Sequence, residues 1–310
     1  MDSPAPELLH CVTEDGWTLQ LRRHAAAGEA RAAVLCLHAM MVDGRTFERR
    51  GEGLAATLGA RGLLPLVADL RGRGGSGPPV ERGGRWSYEG FAHQDLPALF
   101  AAAREAAPGL PLFVVGHSLG GHLAIAAVTR DPSLAPAGFV LLSTNIWLPS
   151  LDRHPLRRLE RHAQMAVFDA VGVALDHFPS RRLKMGPIDE AAPYVNDLAR
   201  FWWEDRWGSA PGEDYLQAAR AIEAPALCVF GRGDRLMAHE AGGRAWAARI
   251  GKEGAEVWLE GRASGLPFDP GHMEVLTDPR ARPLWERLAS WILQRCEAPG
   301  RAPSPGRAGA

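Results

Sequence analysis

One short stretch of the chain carries a serine between two glycines, in the pattern Gly116-x-Ser118-x-Gly120. The apolar run before it, residues 112–115, predicts a buried strand, and the Ala-, Leu- and Ile-rich segment after it predicts a helix. Ser118 would then lie on a sharp strand-to-helix turn, where glycines allow the backbones to approach closely. Such a turn presents the hydroxyl for nucleophilic attack. It also places the Leu119 amide at a helix N-terminus, where it can stabilise a negatively charged oxygen.

Two further residues, each at the end of a predicted element, could complete a nucleophilic centre. Asp234 follows an apolar strand, and His272 lies on a loop before the last predicted helix. Near neutral pH a histidine can accept the proton of Ser118 and later return it to a leaving group. A carboxylate on the other ring nitrogen would set the tautomer of that histidine. Taken singly, the two residues also fit a solvated turn carboxylate and a loop histidine bonded to backbone.

The composition favours a small molecule as the partner. The chain has 310 residues, of which 46% are hydrophobic and 23% charged, and its formal net charge is −1. A nearly neutral chain provides no field that would attract nucleic acid or an anionic membrane. No apolar run approaches the roughly 18 residues of a membrane span. Residues 1–7 lack the basic and apolar blocks of a signal peptide, so we expect a cytoplasmic location.

Strand and helix patterns alternate along most of the chain, which predicts a mostly parallel sheet covered by helices on both faces. A hairpin with an Asp-Gly turn is predicted first, over residues 9–12 and 18–23. Later strands are predicted at residues 32–37, 63–70, 112–115, 138–143, 226–230 and 256–259, and helices at 47–62, 91–107, 119–127, 239–250 and 280–295.

The alternation stops between residues 145 and 221, where no strand is evident and basic pairs and tryptophans occur. We predict a helical cap or lid over residues 145–221, inserted between two parts of one core, residues 1–144 and 222–297. The Pro- and Gly-rich residues 298–310 cannot bury apolar surface, so a disordered tail is expected there.

The order Ser118, Asp234, His272 resembles that of the α/β-hydrolase superfamily, most closely its serine esterase, lipase and thioesterase-like branches. The resemblance covers roughly residues 12–295. It implies the α/β-hydrolase fold, with a helical cap, and it implies that the serine attacks a carbonyl, the histidine moves the proton and the aspartate orients the histidine. Haloalkane dehalogenases and epoxide hydrolases are similar to this chain, but they use aspartate at the position of Ser118, which argues against both.

The resemblance also implies a second oxyanion donor beside Leu119. In the family a His-Gly motif follows the strand before the first helix, and the next residue donates its backbone N–H. Here the residues are His38-Ala39-Met40, so Met40 takes the donor role by position. Alanine replaces the usual glycine, which requires a negative φ at Ala39. Met40 and the adjacent Met41 also fit a simpler role as pocket lining.

A glycine-rich loop, residues 69–77, resembles the family's D-x-R-G-x-G-x-S segment. It also contains a literal G-x-G-x-x-G at Gly72, Gly74 and Gly77, a pattern that occurs in dinucleotide sites when it opens a helix. Two prolines follow instead, which favours a structural loop. The histidines and the four scattered cysteines have no spacing that requires a metal, and we predict neither metal nor cofactor.

The predicted cap contains aromatic residues that could contact substrate. Trp203 and Trp207 are four residues apart and can share a helix face. One hypothesis is that they line an apolar acyl or aryl site, and the equal alternative is that they pack the cap onto the core. Met41 and His117 are further pocket candidates, although His117, like His38, also fits a local hydrogen-bonding role.

The sequence therefore predicts a serine hydrolase that cleaves a carboxylic ester or thioester of a small, largely apolar substrate through an acyl-enzyme. An acyltransferase would use the same triad with an alcohol or amine acceptor in place of water. A non-catalytic binding protein could retain the fold, and the intact triad argues against it. The natural substrate and the oligomeric state are left open.

Overall fold

The computed structural model describes residues 5–152 and 154–297. Eight strands form one sheet in the order β1-β2-β4-β3-β5-β6-β9-β10, and two short strands form a separate antiparallel pair, β7 and β8. The strands are β1 (Glu7–Val12), β2 (Thr18–Arg23), β3 (Ala33–Leu37), β4 (Leu64–Asp69), β5 (Leu112–His117), β6 (Gly138–Leu142), β7 (His177–Phe178), β8 (Glu190–Ala191), β9 (Ala226–Gly231) and β10 (Glu256–Glu260).

The α-helices in the described residues flank this sheet or lie in the segment between β6 and β9. They are α1 (Leu54–Ala60), α2 (Tyr88–Gly90), α3 (Leu96–Ala106), α4 (Leu119–Arg130), α5 (Pro155–Ala174), α6 (Ala192–Glu204), α7 (Tyr215–Ala218), α8 (Glu240–Ala247), α9 (Glu274–Thr277) and α10 (Arg282–Glu297). None of the helices in the described residues is both long and apolar enough to cross a membrane.

The sheet is parallel from β4 to β10 and antiparallel at the β1–β2 edge. Strands β3, β4, β5 and β6 are buried along their whole length, which explains their continuous apolar sequences. Two hydrophobic clusters cover the two faces, one around Phe100 and Tyr194 and the other around Phe113 and Trp285. The carboxyl ends of the parallel strands consequently meet at one edge of the sheet, where ligands bind in such folds.

The predicted α/β architecture is confirmed, with differences in detail. The helix predicted over residues 91–107 begins earlier, at Tyr88, because the Ser87 hydroxyl caps it, and it contains a π-helical turn over Phe91–Asp95. The predicted insertion, residues 145–221, contains α5, α6 and α7, and it also contains the β7–β8 pair, so the expectation that it has no strand is wrong. Two residues in each strand are too few for a periodic pattern. The predicted tail, residues 298–310, lies outside the described residues.

Candidate active site

Ser118 occupies a strained turn between β5 and α4. Its backbone has φ 49° and ψ −112°, a left-handed φ that non-glycine residues rarely adopt. Neighbouring positions have no room for a side chain. A Cβ at Gly116 would lie 2.4 Å from the Gly121 Cα, and a Cβ at Gly120 would lie 2.3 Å from the Leu37 carbonyl oxygen. The glycines of the motif therefore permit the close approach of β5, α4 and β3.

Backbone hydrogen bonds tie this turn to the strands on either side. The Ser118 amide donates to Leu142 O of β6 at 2.9 Å, and the Gly120 amide donates to His38 O at 3.1 Å. The second bond draws the loop after β3 against the N-terminus of α4. Ala39, which replaces the glycine of the family motif, is absent from the positive-φ residues of the described chain, so alanine fits there without strain.

Two backbone amides beside the turn have no acceptor. Within the described residues neither the Leu119 amide nor the Met40 amide makes a hydrogen bond, and both residues line a cavity with Ser118. Buried N–H groups without partners are rare in native proteins. These two are therefore positioned to receive an acceptor from a ligand.

Asp234 and His272 are brought together by the loops after β9 and β10. The His272 Nδ1 and Asp234 Oδ2 lie 2.7 Å apart. Asp234 also accepts hydrogen bonds from the amides of Met237 and Ala238, at 2.9 and 3.0 Å. Burial alone would raise the pKa of Asp234, but its contacts with His272 and the two amides outweigh burial and lower that pKa below the usual range. Asp234 is therefore a charged partner for the imidazole.

His117 supports the loop that carries His272. The His117 ring is fully buried, its Nε2 donates to the His272 carbonyl at 3.0 Å, and the two rings lie 5.3 Å apart. Burial, followed by the nearby His272 charge, lowers the pKa of His117 to about 3, so the ring is neutral. His117 is absent from the cavity lining and makes the local hydrogen bond that the sequence had left as its other role.

The cavity beside Ser118 is narrow, and its walls are both polar and apolar. Its volume of about 10 Å³ admits roughly one water molecule. The Ser118 Oγ makes no hydrogen bond within the described chain, and catalytic contacts are often looser without substrate. The lining residues are Met40, Ser118, Leu119, His122, Asn145, Ile146, Trp147, Tyr194 and Leu198. A larger groove, of about 530 Å³, lies at the opposite sheet edge, beside Leu64 and Leu110, away from Ser118.

The structure does not support a shared helix face for Trp203 and Trp207. Helix α6 ends at Glu204 because Asp205 adopts a left-handed φ of 48°, so Trp207 lies beyond the helix. Trp203 is 42% exposed and bonds to Asp169, whereas Trp207 is fully buried and bonds to Tyr88. Neither tryptophan is among the cavity-lining residues.

Met41 does not line the cavity either, but it is held firmly by the insertion. It has a left-handed φ of 62°. Its amide donates to Glu190 Oε1 at 2.6 Å, and its carbonyl accepts from the Ile188 amide at 3.1 Å. Glu190 is fully buried and pairs with Arg73 at 2.5 Å. The insertion thereby clamps the residue that follows Met40.

Sequence reasoning missed Glu190 and most of the lining. Ile146 and Trp147 could have been suspected, since they lie on the loop after β6, at the carboxyl edge of the sheet. His122 lies one helical turn after Ser118, so its position beside the site could also have been suspected. Within the described residues no group of three or more possible metal ligands occurs. Glu190, Tyr194 and Leu198 are distant in sequence and carried no signal.

The glycine-rich loop has a structural role. Asp69 is fully buried and accepts hydrogen bonds from the Arg22 guanidinium and from the amides of Gly44 and Gly75. Burial opposes the charge of Asp69, but the Arg22 contacts prevail and lower its pKa. No helix opens at the glycines, and the Trp86 ring fills the space beside Gly72. These contacts favour the structural loop over a dinucleotide site.

The structure combines a mostly parallel eight-stranded sheet, a serine on a strained turn after β5, and an Asp–His pair at the same edge of the sheet. This combination defines an α/β-hydrolase. The chain belongs to the family described as serine aminopeptidase S33, which it matches over residues 28–259. This match and the relatives below assign it to the esterase and lipase branch of the α/β-hydrolase superfamily.

Among known proteins, a monoacylglycerol lipase of Mycolicibacterium smegmatis is 28% identical over 79% of this chain and 83% of its own. A human monoglyceride lipase is 27% identical over 61% of this chain and 55% of its own. The crystal structure of a soluble variant of a Saccharomyces cerevisiae monoglyceride lipase superposes with a TM-score of 0.67 at 16% identity, covering 94% of this chain and 96% of that one. A putative aryl esterase from Burkholderia cenocepacia superposes with a TM-score of 0.60 at 18% identity, covering 94% of this chain and all of that one.

Proposed function

We propose that this protein is a serine-dependent carboxylic ester hydrolase in which Ser118, His272 and Asp234 form a catalytic triad. The observation that carries the proposal is the strained turn at Ser118, flanked by two amides without acceptors. Strain of this kind persists only where the surrounding structure enforces it, and it occurs often at functional sites. The pairing of His272 with a charged Asp234 supports the same function.

In the proposed ester hydrolysis, each of the three triad residues has a distinct role. Asp234 holds Nδ1 of His272, which leaves Nε2 to accept the proton as Ser118 Oγ attacks the ester carbonyl. The carbonyl oxygen becomes negatively charged and is stabilised by the Leu119 and Met40 amides. His272 then protonates the departing alcohol, which leaves an acyl group on Ser118. Water, deprotonated by His272, attacks this acyl group and releases the acid.

The cavity lining supports an ester with a largely apolar group. Ile146, Trp147 and Leu198 supply apolar walls, and no carboxylate lines the cavity within the described residues. An aminopeptidase needs a negative group to bind the ammonium of its substrate, so the lining favours an ester over a peptide. The names of the lipase relatives make esters of glycerol with fatty acids the first substrates to test.

We further propose that the insertion, residues 145–221, is a cap over this cavity. Tyr194 and Leu198 of α6 line the cavity together with residues of the core. A volume that admits roughly one water molecule cannot hold an ester, so the cap must move or repack when substrate binds. The cytoplasmic location stays a prediction.

The proposal is tested by labelling with a fluorophosphonate probe, followed by mass spectrometry of the adduct. We expect one adduct, on Ser118, which is absent in Ser118→Ala and strongly reduced in His272→Ala, because only an activated serine reacts. Ser133→Ala, which removes an exposed serine after α4, is the matched control and should label as the wild type does. If folded wild-type protein forms no adduct and cleaves no ester, the proposal is wrong.

A further inference from the structure

A chain of three polar side chains leads from the interior to the cavity beside Ser118. The Trp207 Nε1 lies 2.9 Å from the Tyr88 hydroxyl, which lies 2.9 Å from the His122 Nδ1. All three residues are buried. The Tyr88 and His122 rings are stacked with their centroids 5.5 Å apart, so the geometry of the chain is held by packing.

The chemistry of the three groups determines which nitrogen of His122 carries the proton. The indole N–H of Trp207 can only donate, so the Tyr88 oxygen accepts from it. The Tyr88 O–H must then find an acceptor, because an unpaired buried hydroxyl is costly, and His122 Nδ1 is the acceptor within reach. Burial also lowers the pKa of His122 to about 3, so its ring is neutral. A neutral ring that accepts at Nδ1 carries its proton on Nε2.

The residue that carries this Nε2–H group shares its cavity with the reacting serine. Ser118 is the N-cap residue of α4, and His122 lies in the first turn of that helix, where its amide donates to the Ser118 carbonyl at 3.3 Å. His122 lines the cavity, and its Nε2 has no partner within the described chain. The Tyr194 hydroxyl, also of a lining residue, is buried and unpartnered as well. Two residues that line the cavity therefore carry a donor without a protein acceptor in the described chain.

We propose that His122 Nε2 donates a hydrogen bond to an oxygen of the substrate other than the reacting ester group, with Trp207 and Tyr88 as positioning residues that set its tautomer. The inference rests on the proposed ester hydrolysis and specifies its substrate class. The preferred substrates are esters that carry a hydroxyl, ether or second carbonyl oxygen near the scissile bond. A purely hydrocarbon ester would leave the His122 donor unpaired in the closed site.

The test compares kcat/KM for matched esters. In the first pair, a 2-hydroxyethyl ester is compared with the propyl ester of the same acid, so the additional oxygen is in the alcohol part. In the second pair, ethyl 3-methoxypropanoate is compared with ethyl pentanoate, so the additional oxygen is in the acyl part. For the wild type we expect the oxygenated member of one pair to be favoured, and that pair identifies the side that His122 contacts. One hydrogen bond corresponds to a preference of about 10-fold.

The variants separate a specific role from a structural one. His122→Leu should abolish the preference and His122→Gln should retain part of it, because the Gln amide can still donate. Tyr88→Phe keeps the ring packing, and Trp207→Phe keeps a smaller aromatic ring at a fully buried site. Each should reduce the preference, because the His122 ring is then no longer held in one tautomer. Trp258→Phe, which removes an indole bonded only to Glu256 at the sheet edge, is the control and should keep the wild-type ratio.

Thermal unfolding followed by circular dichroism shows whether each variant is folded. A ratio that is the same in the wild type, His122→Leu and Tyr88→Phe would overturn this inference while leaving ester hydrolysis intact. Wild-type protein that turns over no ester in the panel would overturn the proposed function, and this inference with it.

Discussion

Ser118 shows how a single residue can be held in an unfavourable conformation. A left-handed φ of 49° is costly for serine. The close contacts of Gly116 and Gly120 with neighbouring backbone hold the turn in this conformation. The turn places Ser118 directly after β5, at the carboxyl edge of the sheet. It also keeps the Leu119 amide free, because a helix that begins immediately after the serine has no earlier carbonyl for that N–H.

At the residue scale, the charge of Asp234 is the feature to test. Asp234→Asn keeps the size but removes the charge and can reverse the tautomer of His272. The Met237 and Ala238 amides bond to different oxygens of Asp234, so the single oxygen of asparagine keeps only one of these two contacts. We expect kcat for ester hydrolysis to fall by about 10⁴, as expected for loss of the third triad member. Steady-state kinetics measure the loss, and thermal unfolding checks the fold. A decrease of less than about 10-fold would show that Asp234 does not orient the base.

Some features of the candidate site were predictable from sequence and others were not. The motif around Ser118 and the positions of Asp234 and His272 after strands could be read from short patterns, because each depends on a local turn or a strand end. The role of Trp207 could not be predicted this way. Its partner, Tyr88, is 119 residues distant, and only the folded chain brings the two together.

At the scale of elements, the insertion and the glycine-rich loop together hold the loop after β3. Glu190 of β8 accepts from the Met41 amide with one oxygen, and with the other it accepts from Arg73 and Trp86. Both members of the Glu190–Arg73 pair are buried. The Arg73 guanidinium in turn lies over the Trp86 and Phe91 rings. The position of the Met40 amide thus depends on residues of three separate segments.

Glu190→Gln tests this connection. Glutamine keeps the size and an oxygen for the Met41 amide, but it leaves the buried Arg73 guanidinium without a counter-charge. Removing one partner of a buried pair typically costs about 3–5 kcal/mol, which we expect as the decrease in the free energy of unfolding in urea. Because the clamp positions Met40, kcat should also fall, by up to about 10²-fold, with little change in KM.

The control for this substitution is Glu240→Gln, which breaks the exposed Glu240–Arg244 pair on α8. We expect a loss of at most about 0.5 kcal/mol there, because solvent screens such pairs. Equal stability losses in the two variants would contradict the argument from burial. A change confined to KM would contradict the positioning role of Glu190.

At the scale of the whole molecule, three buried histidines make stability depend on pH. Burial lowers the pKa of His38 to about 4 and those of His117 and His122 to about 3, against about 6.5 in the unfolded chain. Between these values the unfolded chain binds protons that the folded chain does not. Their contribution to stability is therefore complete above pH 6.5 and is lost as the pH falls toward 3 to 4. Burial raises the pKa of Asp95 to about 6, so below that pH the folded chain binds about one proton that the unfolded chain does not. Asp95 therefore offsets about one proton of the histidine effect.

We therefore expect the free energy of unfolding to decrease as the pH is lowered from 6.5 to 4.5, with a slope above about 1.4 kcal/mol per pH unit, the value for one net proton. Urea titrations at several pH values measure the slope. His122→Gln should reduce the slope by the contribution of about one proton. The same substitution at His162, whose side chain is exposed, is the control and should leave the slope unchanged. Stability that stays constant or rises on acidification would contradict the prediction.

The sequence by itself determined the α/β class, the family and the candidate nucleophile, acid and base, because these features are written in short segments: continuous apolar runs for buried parallel strands, glycines around Ser118, and polar residues directly after strand ends. Only the tertiary structure decided which residues enclose the cavity and which support the loops of the candidate site. It separated Trp203 from Trp207, joined Glu190 to the loop of Met40, and connected Trp207 through Tyr88 to His122. Such contacts join residues far apart in the chain, and their free energy arises only when burial removes the polar groups from water and leaves them to find partners in one another.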